Sequence, residues 1–187
     1  VVQLGGQALK LDADGDTTIQ VSSDDVLVVD TAGNEALKID ASGHVTKALQ
    51  SAFLVIGNSD QYNLAINTTH DITFGNEIFD QNNDFASNTF TAPVTGRYQL
   101  NLKILYVSVD TDNNFVNTYL VTSNRTYGYT INSVGFDADG YVSAVINQLV
   151  DMDAGDTAKA QVQIPNDGQA QTDTSAANSY FSGYLVA

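Results

Sequence analysis

The stretch Phe90–Tyr98, FTAPVTGRY, together with the run that follows it, constrains this chain most. Tyr98, Leu100, Leu102 and Ile104 are apolar at every second position, with Gln99, Asn101 and Lys103 between them. That period of two is a strand with one buried face, and it excludes a helix at this point. Pro93 has no N–H and a fixed φ, so it belongs at a strand entry or edge. Gly96 is expected to supply the backbone freedom of a tight turn. The local reading is strand, turn, strand.

The chain divides near residue 50. Every Phe and Tyr lies from Phe53 onward, and residues 1–50 contain no aromatic side chain. Such a segment has little material for a core of its own. It is nevertheless patterned. Leu9 and Leu11, Ile19 and Val21, and Leu37 and Ile39 each flank a polar residue, which predicts short strands. Asp-x-x-Gly turns end three of the runs, at Asp12–Gly15, Asp30–Gly33 and Asp40–Gly43. In these, Asp can bond the backbone ahead of it and Gly accepts positive φ. The segment also repeats. ALKLDADG (8–15) matches ALKIDASG (36–43) at six of eight positions, and LVVDTAGN (27–34) is a looser copy. Repeated units that cannot bury their own apolar face imply stacking along or between chains. A flexible polar linker is the alternative, and the alternation argues against it.

From residue 51 on the pattern is all-β. Strands are expected at Phe53–Ile56, Ile72–Phe74, Phe85–Phe90, Tyr98–Val109, Val116–Val121, Tyr127–Ile131, Ala158–Ile164 and Tyr180–Val186. Val142–Met152 fits both a helical spacing and one strand face, and its β-branched content favours strand. Many short strands separated by turn signals indicate a sandwich or barrel. We therefore expect a β-repeat segment over 1–50 and one β-sandwich over 51–187.

The formal net charge is −15, from 22 acidic against 7 basic residues. That balance disfavours nucleic acid and anionic membranes, which require clustered Lys and Arg. It is read first as a solvated surface, with divalent-cation sites as the alternative. No apolar run is long enough to insert in a membrane as a helix, and no basic segment leading into an apolar run marks a signal peptide. Cysteine is absent, which excludes disulfides and thiolate chemistry. Neither zinc spacing nor a phosphate-binding glycine loop is present. The two histidines, His44 and His70, are read as surface-loop residues, and no catalytic triad is assigned. The sequons Asn67–Thr69 and Asn124–Thr126 are read as chance matches in an Asn- and Thr-rich chain. The expectation is a protein that is not an enzyme and requires no cofactor.

Two resemblances add to this reading. ALKIDASGHVTKALQSAFLV (36–55) resembles the strand-turn repeats that precede the head domain of bacteriophage tail fibres. Residues 51–187 resemble the C1q and tumour-necrosis-factor jelly-roll superfamily, in its C1q-like branch. Ser51-Ala-Phe53, Ile72-x-Phe74, Phe90-Thr-Ala-Pro-Val94 with Gly96 and Tyr98, Leu149 with Gly155-Asp156, and Ser179 with Phe181-Ser-Gly183 and Leu185 carry the likeness in order. The Gly-X-Y stalk of collagen-bearing members is missing, and so is the cysteine common in animal members. The resemblance implies a ten-stranded antiparallel jelly-roll sandwich that assembles as a homotrimer. It also implies structural or trimer-core roles for Phe53, Phe74, Phe90, Pro93, Gly96, Tyr98, Phe181 and Gly183. A virion tail fibre, extracellular, is the implied setting. Its expected partners are a host surface receptor or glycan and, through the N-terminal segment, other fibre or virion proteins. A decoration or assembly module, or a bacterial extracellular adhesin, is the alternative.

Binding is expected on loops carried by a rigid scaffold. The candidate contacts are Asp110, Asp112, Asn113 and Asn114 in one polar loop, and Arg125 with Tyr127 and Tyr129 beside another. The acids Asp110, Asp112, Asp137 and Asp139 are candidate ligands for calcium, a hard cation that takes six to eight oxygens.

Overall fold

The computed structural model describes residues 7–109, 113–133, 140–165 and 173–187. They form sixteen strands and no helix. The chain separates into two compact units, Val1–Gln50 and Ser51–Ala187.

The first unit is one antiparallel meander of β1 (Leu9–Lys10), β2 (Thr18–Ser23), β3 (Val26–Thr31), β4 (Asn34–Ile39) and β5 (Val45–Thr46), in that spatial order. Two of its Asp-x-x-Gly turns close as the sequence predicts. Asp12 Oδ1 accepts the Gly15 N–H at 3.0 Å. Asp40 Oδ1 accepts those of Ser42 and His44 at 2.8 and 2.9 Å. Gly15 and Gly43 take φ of 80° and 85°. His44 Nδ1 lies 2.9 Å from Asp40 Oδ2, and its hydrogen bonds hold the Asp40 carboxyl below the ordinary value. The third turn differs. Ala32 and Gly33, at φ 48° and 72°, form a two-residue connection between the paired Thr31 and Asn34. Asp30 does not fold this turn. Its Oδ2 reaches across the sheet to Thr18 Oγ1 at 2.9 Å and Gln20 Nε2 at 2.7 Å.

The second unit is a two-sheet sandwich. It comprises β6 (Ala52–Ile56), β7 (Thr68–Asp71), β8 (Asn76–Asp80), β9 (Phe85–Ala86), β10 (Thr89–Thr91), β11 (Gly96–Val109), β12 (Phe115–Thr122), β13 (Thr126–Asn132), β14 (Gly140–Met152), β15 (Thr157–Ile164) and β16 (Asp173–Leu185). One sheet runs β14-β11-β16-β6-β8 and the other β13-β12-β15-β10-β9, with β7 added beside β15. These two five-strand paths are the expected ten-stranded jelly roll, and β7 is an addition to it.

The inward residues of β11 alternate as the sequence predicts: Tyr98, Leu100, Leu102, Ile104 and Tyr106 are fully buried. Val142–Met152 falls in β14, where Ala144, Ile146, Val150 and Met152 face the core while Val145 and Leu149 face outward. At one end of the core Phe53 stacks on Phe90 and Phe85, with ring centroids 4.7 and 5.3 Å away, and meets Phe181 edge-on at 5.1 Å. Phe74 and Tyr98 extend this cluster.

The FTAPVTGRY stretch is the bend between β10 and β11. Tyr98 Oη donates to the Val94 carbonyl at 2.7 Å and pins the bend, and burial pushes its phenol pKa up. Gly96 has a different role from the one expected. Its φ is not positive. A side chain there would meet the Ala187 carbonyl at 2.7 Å and Leu185 at 2.8 Å, so the residue permits a close approach of the C-terminal strand. Pro93 is exposed.

Ile72–Phe74 is not a strand. It connects β7 to β8 with Ile72 and Phe74 both buried, and Asn88 Oδ1 accepts the Phe74 N–H at 2.7 Å. His70 lies in β7 rather than in a loop, and its Nε2 is 2.8 Å from the Ala65 carbonyl.

β7 is held to β15 by Asp71, whose two oxygens each lie 3.0 Å from Lys159 Nζ, with Gln161 Nε2 at 2.7 Å. Partial burial pushes the Asp71 pKa up, the Gln161 and Lys159 contacts push it down, and the net position is below the ordinary value. A depressed folded-state pKa contributes stability above the unfolded value near ~3.9, and that contribution is lost as pH falls through the folded one. Asp71→Asn should therefore melt slightly lower than the parent at neutral pH, by less than about 1 kcal/mol for so exposed a pair. The two should converge once the pH has fallen below the folded-state value, where Asp71 is protonated in both states. Thermal melts across that range test this, and a gap that persisted in acid would contradict it.

Candidate functional site

β12 decides how the predicted contacts are distributed. Asn113 and Asn114 precede it, and Ser123–Arg125 follow it. Eight extended residues separate the two groups by about 25 Å. They do not form one surface. Asn113 also fails to reach solvent: it is buried, and its carbonyl accepts the Ser133 hydroxyl. Asn114 is exposed at the same end. Asp110, Asp112, Asp137 and Asp139 lie outside the described residues. Tyr127 is half-buried against the core, while Tyr129 is 48% exposed at the sandwich edge.

The end of the sandwich that carries Arg125 is a built site. Three connections meet there: the β10–β11 bend, the β12–β13 hairpin and the β14–β15 turn. The hairpin is closed by Thr122, whose Oγ1 donates to the Arg125 carbonyl at 2.9 Å and accepts the Arg125 N–H at 3.1 Å. Ser123 N–H donates to the Thr157 carbonyl, and Thr157 N–H donates to Ser123 Oγ, which ties the hairpin to β15. The β14–β15 turn uses Gly155 at φ 91° and Asp156 Oδ2, which accepts the Asp153 N–H at 2.8 Å. Ala154 N–H reaches Thr95 Oγ1 at 3.1 Å, so the bend and the turn are joined as well.

This frame surrounds a pocket of about 160 Å³ lined by Thr95, Gly96, Arg97, Asn124, Asp151, Met152 and Asp153. Arg125 Nη2 lies 2.8 Å from each Asp151 oxygen. Asn124 Nδ2 donates to the Asp151 carbonyl at 3.1 Å and to Asp156 Oδ2 at 2.9 Å. Arg97 sits opposite Asp151 in the β11–β14 register. Among the described residues Arg97 makes no ion pair. The sequence contains only these two arginines, in a chain of net charge −15: Arg97 lines the pocket and Arg125 is paired with Asp151 of its lining. The site offers one guanidinium free for an anion, a second held in place by a carboxylate, and amide and hydroxyl groups around them. Such a group set suits a carboxylate-bearing, hydroxyl-rich ligand.

Reading the sequence singled out Arg125 but missed Arg97, Asp151, Asp153 and Thr95. The scarcity of arginine was the signal that could have found Arg97. A further acidic group, Asp12, Asp14 and Asp16, brings three exposed carboxylates within 4.8 Å of one another in the first unit. Lys10 Nζ lies 3.0 Å from the position a Gly15 side chain would start from, so an ammonium already attends this loop.

The sandwich, from the first residue of β6 to the end of β16, coincides with a family match: the model of the C1q domain matches residues 52–186. The chain belongs to the C1q family. Solved structures agree on the fold of this C1q domain. The globular domain of zebrafish complement 1qA protein is similar over 74% of the chain and 98% of its own length, at TM-score 0.55 and 16% identity. Murine APRIL at pH 8.0 is similar over 73% and 99%, at TM-score 0.54 and 10% identity. No curated protein matches the sequence. No helix among the described residues is long and apolar enough to cross a membrane.

The residues that carried the resemblance have distinct placements in the C1q domain. Phe53, Phe90, Tyr98 and Phe181 are sealed inside one chain, and Phe74 is nearly so. They hold the sandwich together and do not face another copy. Gly183 lies opposite Phe53 in the β6–β16 register, where a side chain would meet Leu100 at 2.5 Å and the Phe53 ring at 2.9 Å.

Proposed function

We propose that this protein is a non-enzymatic, trimeric fibre head that adheres to a host-surface glycan. In this reading its C1q domain binds through the Arg97 pocket, and residues 1–50 form the adjoining shaft. Membership of the C1q family supports a trimeric binding module. The outer face of the β14-β11-β16-β6-β8 sheet supports it too. Val145, Leu149, Tyr184 and Phe79 are exposed there, at 43–49% of their surfaces. Apolar groups on one sheet face suit burial against neighbouring copies. A virion tail fibre is the setting we assign, from the fibre-type repeats that precede the head.

Arg97 in the lining of the pocket, with Arg125 paired to the lining residue Asp151, carries the adhesion reading. Asp151, Asp153 and Asp156 offset the two arginines, so a carboxylate-bearing sugar polymer would be held by direct contact with Arg97 and not by the field of this end. Arg97→Ala and Arg125→Ala should each reduce binding to an acidic-oligosaccharide array, and adsorption to host cells, by about tenfold or more, the loss of one charge-assisted contact. The melting temperature should move little, because an exposed ion pair contributes about 0–1 kcal/mol. Lys159→Ala, whose ion pair is with Asp71 and with no residue of the pocket lining, serves as the charge control. Unchanged adsorption in both arginine variants would remove the adhesion assignment and favour a decoration or assembly module.

A further inference from the structure

The first unit has its apolar face on the outside. Cross-strand partners share a face, and the register places two apolar rows on one side of the meander. One row is Leu9–Ile19–Val29–Leu37, and the other is Val21–Leu27–Ile39–Val45. No residue of either row is buried, and Val21 and Val45 are more than half exposed. The opposite face carries Lys10, Thr18, Gln20, Asp30 and Lys38, with Val28 as its only buried apolar residue.

We propose that this face is covered by the same face of two further copies of the chain, three sheets meeting around one axis. The proposal rests on the trimeric reading of the head. Three observations select this occupant. First, neither row contains a charge, although the chain carries 22 acids, so a charged partner finds nothing to pair with. Second, the strands already pair within the chain in the order β1-β2-β3-β4-β5, so what lacks a partner is the face, while the ladder is occupied. Third, the area is too small to act alone. Two rows across five strands cover roughly 300 Å², given strand spacings near 4.8 Å. Stable association takes about 800 Å² per partner. Only the connection at residues 47–51 separates β5 from β6. A trimeric head would thus hold three faces at an effective concentration in the millimolar range, where a weak apolar contact suffices.

The chain has no cysteine, so a single one can be introduced at will. Val21→Cys points into the face, and Gln20→Cys, one residue away, points out of the opposite one. With the full chain and a bis-maleimide spanning about 10 Å, the distance between packed sheets, Val21→Cys should give at least tenfold more covalent dimer than Gln20→Cys. Light scattering is read on the same samples. A trimer in which both variants link equally poorly overturns the covered face and leaves the head reading intact. A monomer overturns the trimeric head and this proposal with it. Leu27→Asp provides a second readout in case Val21→Cys perturbs folding. Its head should stay trimeric while residues 1–50 are cleaved by protease at least tenfold faster, and an unchanged cleavage rate counts against the proposal.

Discussion

Replacing Phe53 with alanine should lower the melting temperature of the C1q domain by about 10–20 °C. The ring is fully enclosed, stacked between Phe85 and Phe90 and abutted by Phe181. Removing a buried phenylalanine costs about 3–5 kcal/mol, the lost transfer energy plus the cavity left behind. In a domain of this size each kilocalorie shifts the midpoint by roughly 3–5 °C. Gly183 gives the effect an internal check. A methyl group there collides with the Phe53 ring and Leu100. Gly183→Ala alone should therefore cost about 1–3 kcal/mol by overpacking. In the Phe53→Ala background part of that collision is gone, so the two costs should sum to less than their separate values. Melts of the four proteins, followed by circular dichroism, measure the cycle. Strict additivity would mean that the glycine does not serve the ring.

Cutting the chain at residue 50 should give two very different products. Residues 51–187 should remain a folded all-β domain and, on the reading above, a trimer. Residues 1–50 should be unfolded by circular dichroism and sensitive to protease. Val28 is the only buried apolar side chain described in the first unit, whereas more than two dozen fill the head. One valine does not offset a backbone cost of about 1–2 kcal/mol per ordered residue. A cooperative melt from the isolated 1–50 peptide at micromolar concentration would show that its sheet needs no cover, and the shaft assignment would fall with it.

The fold was legible where alternation is strong. Tyr98–Ile104 announced β11, and the Asp-x-x-Gly turns announced two of the connections in the first unit. Legibility failed where a residue's role depends on something distant in sequence. Gly96 reads as a turn residue, yet what requires glycine there is the carbonyl of Ala187. Asp30 reads as a turn former, yet it bonds Thr18 and Gln20 on the neighbouring strand. The first half of β16, DTSAANS, has no apolar rhythm, and it pairs with β11 only beyond an irregularity that shifts the register between Lys103 and Leu105. The site failed for a similar reason. Arg97 and Asp151 lie far apart in sequence and meet only because β11 and β14 pair. The two candidate loops sit at opposite ends of β12, a separation that follows from strand length and not from composition.

The two matched segments of the first unit start 28 positions apart, at Ala8 and Ala36, and they keep one register: Lys10 pairs with Thr18 as Lys38 pairs with Thr46. The interval is even and spans three strands, β1 to β3. Duplicating or deleting one such unit would therefore leave every side chain on the face it now occupies, and would change the width of the meander by about 14 Å, three strand spacings. An odd-numbered insertion inside a strand would turn the apolar residues beyond it, up to the next turn, over to the polar side. On the fibre reading proposed above, length in this segment is thus a trait that recombination can adjust in discrete increments without altering the C1q domain.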